Sequence, residues 1–150
     1  MFRFLILPLI IFTYSCSNES GAKMGLFTAT APVLAILQDD LFSGSTTGYP
    51  DRTGDINVTS VIDPNISCIG EFYYTGTRTG KATLTCNDGH VAEMQFNSIT
   101  NLSGYGYGTS TRGPVSFTYG LTSKQSQEYL KLPKGKKISS DENDPQLIDL

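Results

Sequence analysis

CIGEFYYTGTRTGKATLTCNDGHVAEMQF, residues 68–96, decides the fold. It divides into three runs, Cys68–Gly76, Gly80–Cys86 and His90–Phe96, separated by Thr77-Arg78-Thr79 and Asn87-Asp88-Gly89. Short alternating runs bounded by such turn clusters are the pattern of hairpin-joined antiparallel strands. The register can be tested, because a slip of one residue moves every side chain to the opposite face. A three-residue loop with Gly89 in the left-handed position pairs Cys86 with His90, Leu84 with Ala92, Ala82 with Met94 and Gly80 with Phe96. Small and apolar residues then share one face. A two-residue Asp-Gly turn would set Leu84 against Glu93 and Ala82 against Gln95, and is rejected. Carrying the same face across the first turn aligns Tyr74 with Ala82 and Phe72 with Leu84. Cys68 and Cys86 then lie on that face, offset by one pair. The diagonal is longer than a disulfide accommodates, so a bulge near Gly70 is expected.

The same texture extends outward. From Gly25 to Leu121 the chain is dense in Gly, Thr, Ser, Tyr and Phe, with turn signals every eight to twelve positions and no sustained helical period. This predicts a small all-β domain over 25–132, an antiparallel hairpin-built barrel or sandwich. Pro32–Gln38 and Leu41–Ser43 around Asp39-Asp40 fit a hairpin with an acidic turn, or a short helix capped by Thr30; the Ser/Thr-rich strand that continues from Gly44 favours the hairpin. Asp51–Gly54 reads as a turn into Asp55–Val61, ended at Asp63-Pro64-Asn65. Ser103–Gly108 and Val115–Tyr119 flank an exposed loop, Thr109 to Pro114. Thr122 to Leu130 reads as the one helix, with Thr122 as N-cap, Gln125 in capping-box position and Leu132-Pro133 as its stop. Residues 133–150 mix Lys134, Lys136 and Lys137 with Asp141, Glu142 and Asp144, and are expected to form a charged, disordered tail.

At the other end, Met1-Phe2-Arg3 precedes the apolar run Phe4–Phe12 and Thr13-Tyr14-Ser15-Cys16. One charge, nine largely apolar residues and small or hydroxylated residues before a cleavage point are the layout of a signal peptide, here 1–15. Nine residues are too few to span a bilayer, which takes roughly 20. Ser15-Cys16 resembles the lipobox of bacterial lipoproteins, although that pattern prefers Leu and a small residue where this chain has Thr13 and Tyr14. The resemblance implies lipid attachment at Cys16 and, from Ser17 after the cysteine, sorting to the outer membrane, facing the periplasm. Ordinary secretion is the alternative. Residues 16–24 are polar and small, and read as a flexible tether.

The full chain has 11 basic and 14 acidic residues. Without Arg3 the balance is 10 minus 14, or −4, which argues against nucleic acid as a partner, since phosphate binding needs clustered positive charge. With Cys16 lipidated, Cys68 and Cys86 remain as one pair in an oxidising compartment, and a disulfide is expected. They and one distant histidine are too few for a structural zinc site, and no cofactor is implied. His90 is the only histidine; without a nucleophile elbow or a zinc-binding helix it reads as a structural strand-end residue. Asp39-Asp40 and Asp51/Asp55 are the tight acidic pairs, and both sit in turns, where carboxylates commonly cap the turn itself.

The phrases Gly48-Tyr49 with Asp51-Arg52-Thr53-Gly54, Cys68 with Tyr74-Thr75-Gly76, Cys86 with Asp88-Gly89, Ser103-Gly104-Tyr105-Gly106, and Phe117–Leu121 resemble a family of short, uncharacterised bacterial lipoproteins and periplasmic proteins over most of Pro32 to Leu132. The resemblance implies a shallow, hairpin-built barrel of the β-flower type, and neither activity nor catalytic residues. Tyr49, Tyr73, Tyr105, Tyr107 and Tyr119 lie in Gly-rich polar surroundings, where rings either cover a small core or offer a contact face. The expectation drawn is a non-enzymatic envelope lipoprotein binding a partner protein or an envelope glycan through Tyr105, Tyr107 and the Thr109 to Arg112 loop. The alternatives are a small envelope hydrolase using Asp51 or His90, and a purely structural lipoprotein.

Overall fold

The computed structural model describes residues 23–150. The signal peptide, Cys16 and the tether as far as residue 22 lie outside the described residues. Nine strands form one antiparallel sheet: β1 (Lys23–Met24), β2 (Ala29–Leu37), β3 (Asp40–Gly48), β4 (Thr53–Ser60), β5 (Ser67–Tyr74), β6 (Thr79–Cys86), β7 (Val91–Thr100), β8 (Ser103–Ser110) and β9 (Gly113–Tyr119). Each strand from β2 to β9 pairs with the next, and β2 also pairs with β9, from Val33 opposite Tyr119 to Leu37 opposite Val115. That last pairing closes an eight-stranded barrel. β1 adds a short ladder, Lys23 opposite Thr30 and Met24 opposite Ala29.

The alternation read from residues 80–96 is the barrel wall. Gly80, Ala82, Leu84 and Cys86 point inward from β6, while Lys81, Thr83 and Thr85 face solvent. Ala92, Met94 and Phe96 do the same on β7, with Glu93, Gln95 and Asn97 outside. The pairs Leu84–Ala92, Ala82–Met94 and Gly80–Phe96 are those the three-residue loop requires, and Gly89 holds φ +91°. Pro32–Ser43 is a hairpin, as the sequence favoured, turning through Gln38 and Asp39 at φ 49° and 61°.

The first turn differs from the expectation. Phe72 lies opposite Ala82 and Tyr74 opposite Gly80, so Cys68 faces Cys86 directly, with an S–S distance of 1.97 Å and no bulge at Gly70. A shift of two residues leaves every side chain on its own face, so alternation could not detect it. The turn, displaced by one residue to Gly76-Thr77-Arg78, is closed by the Thr75 and Gly76 N–H groups donating to the Thr79 carbonyl. The irregularity in the barrel instead lies between Ser98 and Thr100.

Beyond β9 the chain packs on the outside of the barrel. Thr122 caps α1 (Ser123–Ser126) and the Gln125 side chain completes the capping box. The helix is shorter than the 122–130 expected: the Glu128 and Tyr129 N–H groups donate three residues back, to Gln125 and Ser126, which tightens the chain out of α geometry. Residues 133–150 are not a disordered tail. β10 (Lys136–Ile138) and β11 (Leu147–Asp149) form a hairpin. Leu130 and Ile138 are buried against Leu34, Ile36 and Leu41, with Leu132 and Leu147 beside them, a second core outside the barrel. The apolar residues of the tail are sparse among charges, so only their convergence on one patch makes them a core.

Inside the open half of the barrel, rings lie against glycines across the strand pairs. Phe72 is opposite Gly54, Phe96 opposite Gly80, Phe117 opposite Gly106 and Tyr119 opposite Gly104. A Cβ at any of these glycines would overlap the facing ring. We expect Gly80→Ala to cost about 1–3 kcal/mol through overpacking, read as a lower denaturant midpoint; unchanged stability would show that the ring has other room. Replacing Cys68 and Cys86 together by Ala should cost about 3 kcal/mol for a loop of this length. Non-reducing mass spectrometry that finds two free thiols in the wild type would refute the bond.

A candidate ligand-binding mouth in the barrel

The two ends of the barrel are built differently. At one end lie the turns at Gln38-Asp39, residues 61–66, residues 87–90 and Thr111-Arg112. The interior beneath is filled by Leu37, Phe42, Val58, Cys68, Leu84, Cys86, Ala92 and Val115. At the other end, residues 25–28, 49–52, 75–78 and 101–102 surround an open cavity of about 550 Å³. Eight strands leave an interior just wide enough for side chains or one small ligand, and here the two uses divide the barrel lengthwise.

Aromatic rings form the wall of this cavity. Phe96 is central: Phe72, Tyr74 and Tyr119 each meet it edge to face, with centroids 5.9, 5.1 and 6.0 Å away. Val33, Ile56, Ala82 and Phe117 are among the other apolar residues of the lining. Three of the hydroxyls within it are joined in one short chain, since Ser98 Oγ lies 3.1 Å from Tyr74 Oη and 2.7 Å from Tyr119 Oη. Burial pushes the Tyr119 phenol well above its ordinary range, so it stays neutral. The Arg52 guanidinium sits over the Tyr74 ring, 4.5 Å from its centroid, and donates from Nη2 to the carbonyls of Gly76 (2.7 Å) and Thr77 (3.1 Å). Leu26 and Phe27 stand at the rim 89% and 71% exposed.

The residues singled out from the sequence fall elsewhere. Tyr105 and Tyr107 share the outer face of β8. Tyr105 stacks on Tyr129 at 4.5 Å, and Lys131 lies over Tyr107 at 5.1 Å, so both rings hold the C-terminal segment to the barrel while Tyr107 keeps an exposed face. The loop expected over Thr109 to Pro114 is shorter, because β8 runs to Ser110 and β9 starts at Gly113. Thr109 is exposed on the strand. Arg112 is committed to the filled end, 3.0 Å from Asp88 Oδ2 and 3.3 Å from His90 Nδ1. Asp51 caps its own turn, accepting from the Thr53 N–H and hydroxyl, and lies at the opposite end of the barrel from His90. The two do not form one site. Cys86, Asp88 and His90 offer ligand atoms within 4.8 Å of one another, but the sulfur is bonded to Cys68 and the carboxylate pairs with Arg112. The cavity had no signature in the sequence beyond the Gly-and-aromatic alternation.

No family model matches the chain, and no curated protein matches it. Among solved structures, a redesigned β barrel superimposes with a TM-score of 0.50 at 18% identity, over 62% of this chain and 89% of that barrel. At that identity the likeness concerns the fold alone.

His90 is 3% exposed, and its Nε2 has no hydrogen-bond partner among the described residues. Its pKa is held below the ordinary 6.5, first by burial and then by the Arg112 charge, against a partial opposing pull from Asp88. The unfolded chain therefore binds a proton more readily than the fold. The stability that follows is present above the unfolded pKa, and is lost as pH falls through it toward the folded value. Between about pH 7.5 and 5.5 the wild-type melting temperature should fall, and fall less in His90→Gln. Equal slopes in the two proteins would overturn this account.

Proposed function

We propose that this protein is a non-enzymatic binding module of the bacterial envelope, tethered through Cys16, which takes one small apolar-bodied molecule into the open end of its barrel. The observation that carries the reading is the aromatic cavity of about 550 Å³, within the range of 300–1,000 Å³ usual for small-molecule sites. Its lining favours an apolar body over the glycan expected from the sequence, because aromatic and aliphatic side chains make up most of the wall and the Tyr74, Ser98 and Tyr119 hydroxyls are bonded into one chain. A hydrolase is disfavoured by the separation of Asp51 from His90 and by the burial of His90 against Arg112. Partner-protein binding through the outer face of β8 draws support from Tyr107, whose ring is partly exposed, and is second.

Titration with the neutral fluorescent probe N-phenyl-1-naphthylamine tests the cavity. Saturable uptake of one probe per chain is expected, weakened about tenfold in Ala31→Phe, which narrows the mouth at a lining position. No uptake by the wild type, or equal uptake by the variant, would sink the reading. The tether is tested separately by feeding cells a clickable palmitate analogue. Label that disappears in Cys16→Ala supports a lipoprotein, and an unlabelled wild type means ordinary secretion.

A further inference from the structure

We infer that the occupant of the mouth is a single-chain anionic amphiphile, its acyl chain in the aromatic cup and its head group on Arg52 and Arg78. The inference rests on the reading of the mouth as a binding site and adds the class of ligand. Its first support is charge. The chain carries a net charge of −3, yet the charged residues lining the cavity are two arginines and no carboxylate. The acids closest in sequence are turned to other work: Asp51 accepts from Thr53, and Asp55, on the outer face of β4, accepts from the Tyr49 hydroxyl. Among the described residues neither Arg52 nor Arg78 forms an ion pair.

Placement is the second support. Stacking on Tyr74 and two carbonyl bonds through Nη2 fix the Arg52 guanidinium at the rim, and its remaining N–H groups are available to a carboxylate or phosphate. Guanidinium pairs well with either anion through parallel N–H donors. Below that level the wall is mainly apolar and carries no charged side chain, so it suits methylenes and offers nothing to a second charge. The exposed Leu26 and Phe27 side chains extend the apolar surface past the rim, where the upper part of a chain would cover them. One acyl chain fits an eight-stranded interior, and a two-chain lipid does not.

The test is displacement of N-phenyl-1-naphthylamine from the purified protein by dodecanoate, lauroyl lysophosphatidylglycerol, dodecyltrimethylammonium and dodecyl maltoside, all below their micellar concentrations. The two anions should displace the probe at concentrations about tenfold lower than the neutral and cationic compounds, and added salt should narrow the gap. The preference should shrink about tenfold in R52Q/R78Q and return only in part in R52K/R78K, which keeps the charge without the paired donors, with melting temperatures confirming that both variants fold. Tighter binding of dodecanoate identifies a free fatty acid as the source, and of the lysolipid a membrane head group; either supports the shared chemistry. Equal displacement by all four compounds, or a preference untouched by R52Q/R78Q, overturns the anionic head group and leaves the cavity reading standing. Failure of the neutral probe itself to bind overturns both.

Discussion

The open half of this barrel depends on rings laid against glycines. Four inward-facing aromatics, Phe72, Phe96, Phe117 and Tyr119, sit directly across from Gly54, Gly80, Gly106 and Gly104. In a barrel of eight strands a ring on every inward position would overfill the lumen, and any ordinary side chain opposite would push the ring toward the axis. Glycine removes that competitor, and each ring lies flat along the wall. The edge-to-face contacts around Phe96 follow from this arrangement. So does the seat for Arg52, because Tyr74 is held in place by Phe96 on one side and accepts the guanidinium as well. A hollow with a rigid aromatic lining is what remains when large residues are spread sideways in this way.

The filled half solves the opposite problem with small and branched residues and a covalent link. Cys68 and Cys86 join neighbouring strands near the turns of that end, and His90 is enclosed there with a ring nitrogen that has no partner among the described residues, a cost of about 1–3 kcal/mol. Asp88 and Arg112 tie the β6–β7 turn to the β8–β9 turn across the end of the barrel. One end is thus stiffened by cross-turn bonds while the other is left open by its rings.

How much of this was legible varied by element. The meander of residues 68–96 could be read to the residue on its second turn, because the alternative register placed Glu93 and Gln95 against the core. On its first turn the two candidate registers bury the same side chains, and a hydrogen-bond pattern within Thr75–Thr79 chose between them. The capping box at Thr122 and Gln125 was visible because it is a local motif. The hairpin of residues 136–149 was not, since its apolar residues are isolated along the chain and become a core only against Leu34, Ile36 and Leu41. Leu34 and Ile36 point out of the barrel while Val33, Ala35 and Leu37 point in, so β2 carries the continuous apolar run of a strand buried on both faces. Tyr105 and Tyr107 were singled out as contact residues, and their neighbours Tyr129 and Lys131 come from a segment whose path the sequence did not reveal.

Closure of the barrel joins its first long strand to its last, from Val33 opposite Tyr119 to Leu37 opposite Val115. One edge of β2 therefore waits for a partner that lies about 80 residues further along the chain. Neighbouring strands pair as local hairpins within microseconds, whereas this long-range pairing comes later, because the entropy of closing so long a loop must be met first. During that interval the most apolar strand of the protein carries an unpaired edge, the feature that templates aggregation. The seam is thus the point at which the newborn chain is most vulnerable, and a chain cut short before β9 would hold that edge open permanently.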